Sequence, residues 1–256
     1  MKTNKHVFAL YAPNLSSSII KEQEGATISL HDKDLHKRMF SILRLQEGDQ
    51  VILFDKKYHI EIVLKKVEKQ ASSPIVGQLV RKQKNTAPTP SITLYQCITK
   101  KSPFEEIVYT ATQMGVQTIV PVISEKSEKK WTPRETERLE KIIIAAIEQS
   151  KSFVFPQFAP AQQLSQLISD GDLCTRCTNS INIVFDAQGQ PASSLSTEAL
   201  PAYLNVIFGA EGGLTDAELA ALTANGFTSY ALTTSILRSR DAAIVGLGML
   251  RSLLRK

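Results

Sequence analysis

Two segments near the C-terminus combine residue types that could do chemistry. In the first, an apolar run ends in Phe208-Gly209-Ala210-Glu211-Gly212-Gly213 and passes through Leu214 to Thr215. Glycines after a buried strand let the backbone approach a ligand, and the helix that follows offers free N–H groups. The spacing fits neither the dinucleotide nor the Walker fingerprint. One carboxylate without a lysine suits a neutral or cationic ligand better than a triphosphate. A tight turn needing glycine for its backbone alone explains the segment equally well. The second segment, Tyr230-Ala-Leu232-Thr-Thr-Ser-Ile236-Leu237-Arg238-Ser-Arg240-Asp241-Ala242-Ala243, is again a strand, a loop and a helix start. Loops of this kind on neighbouring strands would form opposite walls of one pocket, with Arg238 and Arg240 near it.

Other chemistries are poorly supplied. All four histidines (His6, His31, His36, His59) lie in the first third, so the rest of the chain has no imidazole for acid–base or metal chemistry. Of these, only His36 is a candidate for a place near a polyanionic partner. Cys174 and Cys177 have metal-ligand spacing, but Cys97 is the one further cysteine, too few for a zinc site. No metal is expected.

The elements that must position the two segments alternate. After residue 91 the pattern reads strand 92–98, helix 103–114 closed by Gly115, strand 118–123, a helix opened by Thr132-Pro133-Arg-Glu135 and running to about Ser150, strands 181–186 and 203–208, a helix opened by the capping box Thr215-Asp-Ala-Glu218, strand 227–232, and a last helix from about Ser239. Trp131, the sole tryptophan, stands just before the second of these helices. This order predicts an α/β domain with a mainly parallel sheet. Small residues at Ala242, Ala243, Gly246 and Gly248 would let the last helix pack closely. Residues 1–81 read instead as short strands (6–10, 50–54, 58–67, 75–80) with one helix from Lys33 to about Leu43, the pattern of a small β-barrel. Residues 82–91, polar and proline-bearing, read as a linker between domains 1–81 and 92–256.

The 256 residues carry 30 Lys+Arg and 25 Asp+Glu, a net +5, and its distribution says more than its size. Residues 1–85 hold 15 basic and 9 acidic side chains, +6, leaving −1 for the remainder. A basic first part and a nearly neutral second part divide the work between a polyanion and a small ligand. Three cysteines and no apolar run behind Lys2 and Lys5 argue against a secreted disulfide scaffold, a signal peptide or a membrane span, so a cytoplasmic protein is expected.

Taken in order, several segments resemble one family: His36 with Ser41-Ile-Leu-Arg44, Gly48-Asp49 and Leu53-Phe-Asp55; Phe104 to Met114-Gly-Val116; Ser124-Glu-Lys126-Ser127; Ile143-Ile-Ala-Ala-Ile-Glu-Gln149-Ser150 with Pro156; the Gly209–Gly213 turn followed by Glu218; and Leu232 with Ile236-Leu-Arg238. The chain is similar to the RsmE family of 16S rRNA uracil-N(3)-methyltransferases of the SPOUT superfamily, and the similarity runs nearly end to end. The resemblance implies a PUA-like RNA-binding β-barrel, a SPOUT α/β domain with a deep trefoil knot, a homodimer, S-adenosylmethionine (SAM) as cofactor and 16S rRNA or the small ribosomal subunit as substrate. There are departures. Ala210 stands where proline is usual, Thr233 where glycine is usual, Lys126 for an arginine and Arg240 for a glutamate.

On that resemblance SAM is held by Phe208, Gly209, Ala210, Glu211, Gly212 and Gly213 on one side and by Leu232, Ile236, Leu237 and Ala242 on the other. Arg238 would stabilise the uracil imidate. With no histidine in the domain, the imide proton would pass to Asp241, to Glu211 or to water. Lys37, Arg38, Arg44, Lys100 and Lys101 are the candidate RNA-phosphate contacts. A non-catalytic RNA-binding relative, or a SAM-dependent enzyme for another RNA position, fits the same residues.

Overall fold

The computed structural model describes residues 6–68, 70, 73–128, 133–170, 173, 180–195 and 202–253. Trp131, Thr132, Cys174 and Cys177 lie outside the described residues, and so does the N-cap expected of Thr132. The chain divides into two compact units, one of residues 1–86 with 147–153, the other of residues 87–146 with 154–256.

The first unit runs β1 (Phe8–Tyr11), α1 (Leu15–Ile19), β2 (Thr27–Leu30), α2 (Lys33–His36), β3 (Gln50–Phe54), β4 (Tyr58–Lys66) and β5 (Ile75–Lys84). Its five strands form one sheet in the order β1-β3-β4-β5-β2, and among the described residues β1 and β2 do not pair with each other. The alternation along β4, with Ile60, Ile62 and Leu64 fully buried, supplies the core together with Leu53, Ile75 and Leu79. The expected helix 33–43 starts where expected, since the Asp32 carboxylate accepts from the N–H of Leu35 at 2.9 Å. From Lys37 to Ile42 it widens into a π-helix, with the N–H of Leu43 reaching back to the carbonyl of Arg38. In this unit two elements escaped the sequence reading, α1 and the four-residue β2, each too short to show a period. Lys82–Lys84, expected as linker, complete β5 opposite Tyr58–Ile60.

Asp55, buried just after β3, ties this unit together. Its carboxylate accepts from the Ser16 hydroxyl, from the N–H of Ser16 and of Lys57 (both 2.7 Å) and from that of Tyr58 at 2.8 Å. Burial pushes the group up, but these hydrogen bonds outweigh it and hold it below the ordinary carboxylate range. A depressed folded-state value adds stability above the unfolded value, ~3.9, and the gain disappears as pH falls through the folded value. Asp55→Asn is therefore expected to lower stability by about 1–2 kcal/mol at neutral pH. In chemical denaturation followed across pH, its deficit against the unaltered protein should shrink below pH ~4.

The second unit contains β6 (Ser91–Cys97), α3 (Lys101–Gln113), β7 (Thr118–Ile123), most of α4 (Pro133–Ser150), the two-residue strands β8 (Gln157–Phe158) and β9 (Gln162–Gln163), α5 (Leu164–Ser169), β10 (Ser180–Pro191), β11 (Tyr203–Phe208), α6 (Asp216–Ala224), β12 (Thr228–Ala231) and α7 (Ser239–Leu253). The expected parallel sheet is present, in the order β12-β10-β11-β6-β7-β8 with β9 pairing β7. One face packs Tyr95, Val120, Val184 and Ile207 against Leu167, Leu214 and Leu222. The opposite face carries Phe208 and Phe185, stacked with centroids 5.0 Å apart. Arg251 of α7 donates to the carbonyls of Met114, Gly115 and Pro90 at 2.7–2.8 Å, placing a cation at the C-terminal end of α3. Burial lowers its guanidinium to about 10, so it keeps its charge at neutral pH.

The close packing expected of the last helix has a definite partner. A Cβ built on Gly246 would lie 2.7 Å from Phe208 Cζ and 3.1 Å from Phe185 Cε2. Alanine ordinarily favours a helix by about 1 kcal/mol over glycine, but here the stacked rings have no room to retreat. Gly246→Ala is expected to be a net loss of ~1–3 kcal/mol, read as a lower urea midpoint.

Candidate cofactor site

Strands β11 and β12 run parallel to the β10 between them, so the loops that follow β11 and β12 emerge on the same edge of the sheet, level with the bulge of β10 between Phe185 and Gln190. Between these loops lies a cavity of about 440 Å³. All ten residues expected to hold a cofactor line it: Phe208, Gly209, Ala210, Glu211, Gly212, Gly213, Leu232, Ile236, Leu237 and Ala242. Arg238 and Asp241 are not part of the lining. Arg238 is an exposed side chain between the lining residues Leu237 and Ser239, and its carbonyl accepts from the N–H of Ala242 at 2.8 Å.

The first wall is built by local backbone constraints. Gly213 has φ +71, which favours glycine, and its N–H donates to the carbonyl of Ala210 at 3.0 Å. At Gly209 a Cβ would come within 3.0 Å of the Gly213 backbone. The turn then runs into the expected capping box: the Glu218 N–H donates to Thr215 Oγ1 at 3.2 Å, and the Thr215 N–H to Glu218 Oε2 at 2.8 Å. The other carboxylate oxygen of Glu218 accepts from the N–H of Glu125 at 2.8 Å. Lys126, in place of the usual arginine, lies over Gly212 and donates to the carbonyl of Leu214 at 3.2 Å. Glu211 accepts from the N–H of Lys100 at 3.0 Å, so one of its oxygens fixes the turn.

The second wall is joined to the first from beneath. The Ser239 hydroxyl, at the start of α7, donates to the carbonyl of Gly209. Gln96, fully buried at the end of β6, directs its amide nitrogen to the Cys97 carbonyl at 3.0 Å and toward Ser239 Oγ at 3.3 Å. Cys97 beside it is inert packing, its thiol pushed up to about 12 by burial. A third wall was missed in the sequence: Asp186, Ala187 and Gln188 also line the cavity, from the bulge where β10, running past the expected strand 181–186, shifts register between Phe185 and Gln190. Ser239 and Tyr230, inside segments already singled out, also line the cavity, as do Phe185, Leu214, Asp216 and Leu219.

Arg240, where the family has glutamate, is occupied by two acids. Its guanidinium pairs with Glu106 of α3 at 2.9 Å and with Asp241 Oδ1 at 2.8 Å, and the Asp241 and Glu106 hydrogen bonds hold it more firmly protonated. The substitution is thus neutralised locally, away from the cavity lining. Asp241 Oδ2 keeps no partner among the described residues.

The candidate phosphate contacts differ among themselves. Lys37, Arg44, Lys100 and Lys101 are exposed. Arg38 is not available as expected, because Glu148 takes its fork in two parallel bonds of 2.9 and 2.7 Å. His36 likewise cannot meet RNA. It is buried with 1% exposure against Phe40, and its Nε2 has no hydrogen-bond partner among the described residues. Among the described residues no group of acidic, histidine or cysteine side chains could hold a metal ion, and no helix is long and apolar enough to cross a membrane.

Comparison with known proteins agrees with this geometry. Residues 85–251 match the RNA methyltransferase domain family. The chain is 30% identical over 189 residues to the ribosomal RNA small subunit methyltransferase E of Aquifex aeolicus, covering 72% of this chain and 78% of that one. It is 30% identical over 176 residues to the protein of the same name from Synechocystis, covering 67% and 56%. The solved structure of a Neisseria gonorrhoeae ribosomal RNA small subunit methyltransferase E bound to SAM superposes with a TM-score of 0.78 at 21% identity, over 97% of this chain and 98% of that one. A Legionella pneumophila methyltransferase in complex with SAM gives 0.75 at 21% identity, over 96% and 98%. Sequence and fold thus converge with the cavity at the strand ends: the chain belongs to the RNA methyltransferase domain family and, within it, to the ribosomal RNA small subunit methyltransferase E family.

Proposed function

We propose that this protein methylates N(3) of a uridine in 16S ribosomal RNA, taking the methyl group from SAM. The observation that carries the reading is the convergence of ten expected residues on one cavity at the ends of β11 and β12, beside the bulge of β10. The donor set fits SAM. Gly209, Gly212 and Gly213 leave backbone accessible, Leu232, Leu237 and Leu214 give an apolar slot for an adenine, and Asp186, Glu211 and Asp216 offer carboxylates to a cation. SAM would supply an electrophilic methyl on a sulfonium leaving group, so the protein has mainly to position and stabilise.

The chain's own residues then have separable tasks. Arg238, exposed beside the cavity, stabilises negative charge on the uracil oxygens once the imide proton leaves. Asp241 is anchored through Oδ1 by Arg240 and offers Oδ2 as the proton acceptor. Nitrogen 3 is occupied in Watson–Crick pairs, so the target base must be unpaired or flipped out. The finer architecture follows the family: a PUA-like barrel in the first unit, a trefoil knot in the second, a homodimer and a cytoplasmic location.

The test is to incubate the protein with labelled SAM and small ribosomal subunits that lack the modification, then identify the labelled nucleoside. Label in 3-methyluridine is expected. Label in another nucleoside, or none despite measurable SAM binding, would overturn the reading.

A further inference from the structure

The first unit contains a second cavity, about 450 Å³, lined by His59, Gln83, Lys84, Asn85, Ser152 and Phe153 among others. We infer that it is a nucleotide subsite, receiving one unpaired base of the substrate RNA and the two phosphates that flank it. The inference rests on the RNA-methylation reading and adds to it a place where RNA is held.

Three independent features point to a planar ligand with an anionic neighbour. First, one wall is a flat aromatic pair, with the His59 and Phe153 rings stacked at 4.2 Å between centroids and 17° between planes. Phe153 is held there at φ +52, and Lys151 two residues earlier at φ +56, conformations that non-glycine residues adopt only at a cost. Second, the polar groups are pre-oriented. Asn85 Nδ2 donates to the Asp55 carbonyl at 2.8 Å, so its oxygen faces His59 Nδ1, also at 2.8 Å, and the imidazole carries its proton on Nδ1. Gln83 turned to donate to His59 Nε2 at 3.0 Å accepts from Arg81 at 2.9 and 3.2 Å. The amides of Asn85 and Gln83 each retain an N–H able to meet a base edge. Third, the rim is basic. Lys84 is exposed, and so is Lys57, whose carbonyl accepts from the Asn85 N–H at 2.8 Å; among the described residues neither carries an ion pair. A stacking platform beside fixed amides and unpaired lysines is the equipment of a single-strand nucleotide site.

These residues differ from those the sequence offered. Lys57, Lys84 and His59 were unremarkable there, because they gather only when β4 and β5 pair Tyr58 with Lys84 and His59 with Gln83.

The test uses the full chain with deproteinised small-subunit ribosomal RNA, measuring affinity against salt concentration, with SAM affinity measured calorimetrically in parallel. The double variant Lys57→Ala/Lys84→Ala alters only exposed side chains and keeps the fold. It is expected to bind RNA more weakly and to lower the slope of log K against log salt by about 1.4, the value for two single-strand phosphate contacts. His59→Ala is expected to weaken RNA binding roughly tenfold through lost stacking. Neither should change SAM affinity. Unchanged RNA affinity and slope in both variants would overturn the subsite while leaving the methyltransferase reading in place. A loss seen with assembled subunits but not with naked RNA would overturn it in favour of a protein partner. Absence of RNA binding by the unaltered protein, with SAM binding intact, would overturn the broader reading and the subsite with it.

Discussion

Gly189→Ala is expected to unfold the cofactor side of the second unit, lowering stability by about 3 kcal/mol and reducing SAM affinity at least tenfold. A Cβ at this position would lie 2.6 Å from Tyr230 N and C and 2.7 Å from Ser229 C. All three are backbone atoms of β12, so no side-chain rotation can relieve the contact. The collision also sits where it does most harm to function. β10 shifts register against β12 between Phe185 and Gln190, and the residues this releases, Asp186 to Gln188, line the cavity. Pushing β12 away moves Tyr230 and the Leu232–Leu237 wall together. Thermal unfolding and SAM titration on the same preparation should therefore change together, whereas Gly246→Ala should lower stability first and affinity only secondarily.

Arg238→Ala is expected to lower kcat by 10²–10³-fold with SAM affinity within twofold of the unaltered protein, as for removal of one preorganised donor. Arg238 has an exposed side chain and does not line the cavity, so its loss should leave the cofactor's surroundings intact. Its position between Leu237 and Ser239 ties it to the same wall, since its carbonyl starts α7 through the N–H of Ala242. Single-turnover methyl transfer with saturating SAM reads the effect. Equal turnover by the variant would remove the stabilising role from Arg238.

Much of this was legible in the sequence because it is encoded locally. The Thr215–Glu218 capping box, the Gly209–Gly213 turn and the alternation of Tyr58 to Lys66 depend on neighbours within a few residues, and each is found where the spacing puts it. The wall from Leu232 to Leu237 was recognisable as a loop between a strand and a helix. What depended on distant partners was not. Arg38 looked like a free cation until Glu148, 110 positions away, took its fork. Arg240 stood out only as a departure from the family's glutamate, and its pairing with Glu106 of α3 spans 134 positions. The third wall of the cavity was hidden because Asp186-Ala-Gln188 has no period of its own, and its place follows from the bulge by which β10 shifts register against β12.

The cavity between the 208–214 and 232–237 loops is proposed as the place where SAM is held. Ultraviolet cross-linking of methyl-labelled SAM, followed by peptide mapping, tests this most directly. Label is expected in peptides spanning residues 203–218 and 230–242, displaced by excess S-adenosylhomocysteine. Label confined to peptides of the first unit, or undisplaced by that competitor, would put the cofactor elsewhere.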